Sequence, residues 1–314
     1  MSTLAPARAR QSYRHEAFLW RGHDDFVEQL VPFVRDGIEA GEAVMVAVTP
    51  EHIEWIRNDL GPSAAQVHFV DMTQLGRNPA RIIPAWQQFL DDWSGEGRPA
   101  RGIGEPIWVG RRPEEVLECQ LHEALLNLAV DPELPFWLVC PYDAEHLGED
   151  VLAEAGRSHP AIATSASYQG SPGYRGHSHA AAMFSSTLPP VGGRLTETAA
   201  SWSDAIAAAD HVTLQAADAD LWSHKVVALA EAVRGLTGDS LDRGAAEAVV
   251  RLWDEPDVVV CEVADTGVTG NLLAGRREPI PPGQDALWHA NQLCDLVQVR
   301  SDENGTTVRL HMWK

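Results

Sequence analysis

Between Glu16 and Ile162 short apolar runs alternate with stretches of helical period, and this alternation admits few folds. Ala17–Trp20, Ala43–Val48, Val67–Val70 and Phe136–Cys140 read as buried strands. Between them Asp24–Glu39, Pro50–Leu60, Pro79–Trp93 and Pro113–Val130 place apolar residues three and four apart, the spacing of one helix face. Strands separated by helices of that length cannot close as hairpins. They need crossover connections, which yield a mainly parallel sheet with helices on both faces. Asp24 is the expected helix N-cap and Gly41 the expected stop.

The pattern changes at residue 164. Ser165–His179 is rich in Gly, Ser and Pro, and Leu188-Pro-Pro-Val-Gly-Gly193 follows, so 164–195 reads as a linker or an excursion over the surface. Beyond it, two helical segments between Ser201 and Leu236 break near Asp218. Strands are expected at Ala248–Trp253, Val258–Val263 and Thr306–Met312, with a helix over Ala286–Leu296. The expected division is therefore an arm at 1–13, a domain at 14–163, the linker, and a second domain at 196–314. The N-terminal residues carry charge but no apolar core of a secretory signal, so the arm is expected to be disordered.

Charge narrows the function. With 24 Lys+Arg against 45 Asp+Glu the net charge is −21, a surface that repels phosphate backbones and favours a protein partner with a basic face. No apolar run reaches the roughly 18–20 residues of a membrane span. The four cysteines are widely spaced with no Cys-x-x-Cys pair, the pattern of reduced thiols in a cytoplasmic protein. No Gly-x-Ser-x-Gly elbow is present. His177 and His179 have no carboxylate or Cys at ligand spacing, so no metal site is expected from them. His122 is expected on a helix surface and Asp71 as a strand-end cap.

Arg14-His-Glu16, Gly41-Glu-Ala-Val44, Gly104-Glu105-Pro-Ile-Trp108, Glu118, Glu123, Cys140-Pro-Tyr-Asp143 and His159-Pro160 together span most of the first domain. This set resembles the MEDS sensory domain, named for methanogens, methylotrophs and a dichloromethane-responsive regulator. The resemblance implies a RecA-like parallel sheet without a phosphate loop. Trp20-Arg-Gly-His-Asp-Asp25 after the first strand agrees, because it lacks the Gly-x-x-x-x-Gly-Lys cradle. A ligand pocket is expected at the carboxyl ends of the strands, near Trp20, Glu105, Trp108, Tyr142 and Asp143.

The last ninety or so residues resemble the anti-sigma-factor kinases of the Bergerat (GHKL) ATPase fold, a two-layer α/β sandwich. The resemblance implies an ATP site at Glu231, Asp265, Gly267, Gly283 and Leu287. The family's magnesium-binding Asn falls on Gly235, and its phosphate turn reads Gly283-Gln-Asp285-Ala-Leu287, with an acid where phosphate would lie. ATP and magnesium are accordingly expected to bind weakly, and no catalytic residue is expected. The chain then reads as a partner-switching regulator: a domain sensing a small molecule, joined to a pseudokinase that holds a sigma factor or an anti-anti-sigma (STAS) protein through Ser201–Leu236. The alternatives are an active Ser/Thr kinase acting on the anti-anti-sigma protein, and an oligomerising scaffold, for which a homodimer would suffice.

Overall fold

In a computed structural model the chain divides into two units, Met1–Ala180 and Ala181–Lys314, and residues 12–93, 98–192, 194–195, 200–280 and 285–314 are described. The first unit runs β1 (Arg14–Trp20), α1 (Gly22–Glu39), β2 (Ala43–Val48), α2 (Pro50–Leu60), β3 (His68–Asp71), α3 (Met72–Leu75), α4 (Ile82–Trp93), β4 (Ala100–Gly104), α5 (Pro113–Ala129), β5 (Phe136–Asp143), α6 (Glu149–Ser158), β6 (Ala161–Ala163) and β7 (Tyr168–Gly170), and the division falls within α7 (Gly176–Phe184). Its sheet has the order β3-β2-β4-β5-β1-β6-β7, parallel throughout except for β7, which runs antiparallel to β6. Every residue of β2 is buried, as a strand covered on both faces requires.

Alternation along β1 and β5 sends side chains to opposite faces. Phe18, Trp20, Val139 and Ile103 join Phe26, Leu30 and Val34 of α1 in one core. On the other face His15 meets Glu123 of α5, and Trp86 of α4 packs on Phe136. Chain connections leave β2 and β4 in opposite directions, and likewise β1 and β6. These are the switch points where α/β sheets open a crevice at their carboxyl ends.

Several sequence expectations are corrected. Helix α1 starts at Gly22 with Arg21 as N-cap, and it is Asp25, not Asp24, whose carboxylate accepts from the Arg21 N–H at 2.8 Å. Gly41 does lie at the stop, in the left-handed region at φ 70°. Asp71 caps α3, accepting from Thr73 N–H at 2.8 Å. Strand β4 was not foreseen, because Ala100-Arg-Gly-Ile-Gly104 lacks a continuous apolar run. Its glycines are there for Trp86, since a Cβ on Gly102 would lie 2.8 Å from that indole. Of the expected arm, residues 1–11 lie outside the described residues. Tyr13, however, is packed: its N–H donates to Pro132 O at 3.0 Å and its ring stacks on Phe136. Within 164–195, β7 is an exposed strand on β6, and Tyr168 Oη donates to Glu16 at 2.8 Å.

The second unit runs β8 (Arg194–Leu195), β9 (Ala200–Trp202), α8 (Ala205–Asp218), α9 (Ser223–Asp242), β10 (Ala248–Asp254), β11 (Val258–Asp265), α10 (Ala286–Leu293), β12 (Leu296–Asp302) and β13 (Gly305–Trp313). The sheet is antiparallel, ordered β12-β13-β11-β10-β8, with β9 also on β10. One face is apolar, with Leu252, Cys261, Val263, Val299 and Leu310 buried, and α9 packs against β10, β11 and β13. The other face is polar. There Glu262 accepts from Arg309 Nε at 2.8 Å, and Gln298 pairs with His311 at 3.1 Å. The expected helix over Ala286–Leu296 ends at Leu293, and Leu296–Asp302 is a strand instead. Among the described residues no helix is long and apolar enough to cross a membrane.

Candidate functional site

The carboxyl ends of β1, β2 and β4 bring together an aromatic cluster around one carboxylate. Glu105, two per cent exposed just past β4, accepts from Thr49 N–H at 3.1 Å and pairs with His52 Nδ1 at 2.7 Å. The His52 ring lies 4.5 Å from Phe26 and 4.5 Å from Trp55, and Trp20 meets it edge-on at 5.4 Å. Among the described residues the Trp20 Nε1 hydrogen is buried without a hydrogen-bond partner. An orphaned donor of this kind costs about 1–3 kcal/mol, so its position is a natural place for an acceptor on a ligand.

The other expected pocket residues lie apart from this cluster. Asp143 ends β5 beside Trp20 in register, but its carboxylate accepts from Glu145 N–H and His146 N–H and binds the His146 ring at 2.8 Å. It ties down a loop. Tyr142 points to the opposite face of the sheet and meets His159 edge-on at 5.7 Å. Trp108 is half-buried, with the Arg111 guanidinium 4.2 Å over its ring. Sequence reasoning missed His52 and Trp55, whose signal was only their spacing of three on α2.

Beneath the opposite face four side chains converge. His15 of β1, Glu123 of α5, Cys140 of β5 and His159 after α6 are all buried, and their donor atoms lie within 4.8 Å of one another. His15 Nε2 is 2.9 Å from Glu123 Oε2, and His159 Nε2 is 3.3 Å from the same oxygen. Cys140 Sγ lies 3.4 Å from His15 Nε2 and 3.5 Å from Glu123 Oε2. Burial raises the Glu123 carboxyl, but the two imidazoles beside it overcome this and hold it below the usual carboxylate range. Burial lowers His15 and raises Cys140 well above an ordinary thiol. The sequence had placed these residues inside one motif set without bringing them together.

In the second unit the positions matched to a nucleotide site are engaged internally. Glu231 on α9 is partly exposed and pairs with His289 at 3.1 Å. Asp265 accepts from Gly267 N–H at 2.6 Å, from Arg243 Nη2 at 3.1 Å and from the Ser240 hydroxyl, so both its oxygens are taken. Gly235 faces Ala286, whose Cβ would lie 3.7 Å from an added Cβ. Gly283 lies outside the described residues. Asp285 caps α10, accepting from Trp288 N–H at 2.9 Å, and so fills with its own carboxylate the N-terminus where a phosphate would dock. Leu287 follows on the first turn of that helix. On the polar face of the sheet a groove of about 430 Å³ is lined by Leu188, Glu262, Arg300, Asp302, Thr307 and Arg309.

Comparison with curated proteins gives no match. Among protein-family models, that of the methanogen/methylotroph, DcmR sensory domain matches over 14–160, which covers β1 to the end of α6 and includes both the aromatic cluster and the buried four-residue cluster. Residues 14–160 of this chain are a MEDS sensory domain.

Proposed function

We propose that the chain is a signalling regulator of partner-switching type, in which the MEDS domain takes a small-molecule signal and the second unit binds a sigma factor or an anti-anti-sigma protein without phosphorylating it. One observation carries the non-catalytic part: the groups that a Bergerat-type site would turn toward nucleotide are spent within the protein. Asp265 accepts from Gly267, Arg243 and Ser240 through both oxygens, and Asp285 occupies the N-terminus of α10. Ile206 and Leu214 on α8, Trp222 at the N-cap of α9 and Val227 on α9 are exposed apolar side chains, which suits a protein surface. The net charge of −21 favours a partner with a basic face. At the sensory end, the buried donor of Trp20 among His52, Phe26 and Trp55 suits a small ligand that is mostly apolar and carries one acceptor.

The test is capture. Immobilised full-length chain is presented with the purified sigma and anti-anti-sigma proteins of its own cell. Retention of one of them, weakened by Trp222→Glu at the N-cap of α9 and unaffected by added Mg-ATP, supports the reading. Retention of none overturns it, and phosphate transfer to a captured protein would replace it with the kinase reading.

A further inference from the structure

We propose that His15, Glu123, Cys140 and His159 form a zinc site inside the sensory domain, with one divalent ion held by two imidazoles, one carboxylate and one thiolate. The argument begins with where the protons must be. His159 Nδ1 lies 2.8 Å from the Ala155 carbonyl, which can only accept, so Nδ1 carries the hydrogen and Nε2 presents a lone pair. The orientation of Asn127 is fixed because its Nδ2 donates to the carbonyls of Glu123, Ala124 and Ser158. Its Oδ1 therefore faces His15 Nδ1 at 3.2 Å, and that nitrogen too must donate. In their neutral form both imidazoles would therefore turn bare Nε2 atoms toward a carboxylate oxygen 2.9 and 3.3 Å away, and only as imidazolium could either donate to it.

With both rings neutral, three lone-pair bearers and one thiol face each other with a single exchangeable proton among them. Among the described residues Glu123 Oε1 and His159 Nε2 are buried with no hydrogen-bond partner. A cation at the centre resolves the conflict, because every converging atom is then a donor to it. Charge also closes: a divalent ion, one carboxylate and one thiolate sum to zero, which a fully buried site demands. On loading, Cys140 gives its thiol proton to solvent and its sulfur forms the metal bond.

The geometry agrees. Ligands about 2.0–2.3 Å from a tetrahedral zinc lie roughly 3.3–3.8 Å from one another. Of the six separations, those of 3.3, 3.4 and 3.5 Å fall in that range and the 2.9 Å pair must open, while the Nε2–Nε2 and Cys140–His159 separations lie within 4.8 Å. Outer hydrogen bonds from both Nδ1 atoms fix the rings, as metal-bound histidines require. A mixed set of two nitrogens, one sulfur and one oxygen with four members and no open position suits zinc in a structural role.

Full-length chain stripped with a chelator and titrated with cobalt(II) is the test. The expected result is uptake of one equivalent, with the strong visible bands of four-coordinate cobalt and a thiolate-to-cobalt band in the near ultraviolet. Zinc should displace it and raise Tm, Cys140→Ser should lose the thiolate band, and His179→Ala should leave the spectrum unchanged. Cobalt spectra like those of the hydrated ion overturn the proposal and leave an imidazolium–carboxylate pair in the cluster. A thiolate band that survives in folded C140S also overturns it. Where C140S does not fold, X-ray absorption of the zinc-loaded wild type decides. One sulfur at about 2.3 Å with three nitrogen or oxygen neighbours supports the site, and an all-oxygen shell overturns it.

Discussion

The Asp143 carboxylate accepts from Glu145 N–H and His146 N–H and binds the His146 ring, three contacts that anchor the loop after β5. The contact has a measurable sign. The hydrogen bond to Asp143, then its charge, then that of Glu145 raise His146 above the ordinary imidazole value near 6.5, against a small opposing effect of burial. A raised group favours the folded loop while the ring is protonated, below the ordinary value, and that preference is lost as pH rises through the folded value. An NMR titration of the His146 ring should therefore show a midpoint above that of an exposed histidine, and Asp143→Asn should bring it back down. His122 was misread. A helix-surface position was expected, yet Leu121–Leu126 are buried without interruption. With α5 enclosed on several sides, no polar face remains to betray its orientation. Nor could sequence spacing bring His15, Glu123, Cys140 and His159 together, since more than a hundred residues separate the first from the rest and only the pairing of β1 with β5 joins them.

At the scale of elements, apolar runs and helical period located β2, α2, β10 and β11 closely, because each is buried on the faces its pattern predicts. Of the strands that escaped, β4 and β12 show why. In β4 the glycines needed to admit Trp86 erase the apolar signal. At β12, Cys294-Asp-Leu-Val297 continues the helical reading of α10, and what stops the helix is distant: Asp295 accepts from Lys225 Nζ at 2.7 Å and from Trp313 N–H at 2.9 Å. The other end of α10 carries a prediction. Asp285 stabilises the helix N-terminus by accepting from Trp288 N–H, so Asp285→Ala should cost about 1 kcal/mol, read from chemical denaturation of the full chain. On the proposed reading, the same variant also removes the carboxylate that would compete with phosphate. If that acid were the sole obstacle to nucleotide, Mg-ATP would now raise Tm. No rise is expected, because Asp265 remains bound to Gly267, Arg243 and Ser240, and Gly235 supplies no ligand for magnesium.

For the whole molecule, the change of composition at residue 164 was the legible sign of a division, but it could not place one. Strand β7 and helix α7 lie within the Gly/Ser/Pro-rich stretch, and the two units part at Ala180–Ala181. Glycine and serine hid this because their roles there are backbone ones: Ser171 N–H donates to Pro160 O at 2.8 Å, and Ser171 Oγ donates to Gly156 O at 2.5 Å. Each unit has its own sheet and its own apolar core, the first around Phe18, Phe26 and Val46, the second around Leu229, Val233 and Cys261. A cut after residue 186 falls just past that division, because α7 spans it, and leaves both sheets and cores whole. It keeps the closing bonds of α7, where Ser185 N–H donates to Ala181 O and Ser186 N–H to Met183 O, and it leaves Pro189 O to accept from Arg309 at 2.7 Å. Fragments 1–186 and 187–314, of ordinary domain size, are therefore expected to fold separately. Each should give its own cooperative thermal transition by circular dichroism and a dispersed amide NMR spectrum. If either fragment is unfolded alone yet ordered when the other is added, the division is a weak point in one folding unit, and a signal taken up by the MEDS domain would then reach the second unit through folding itself.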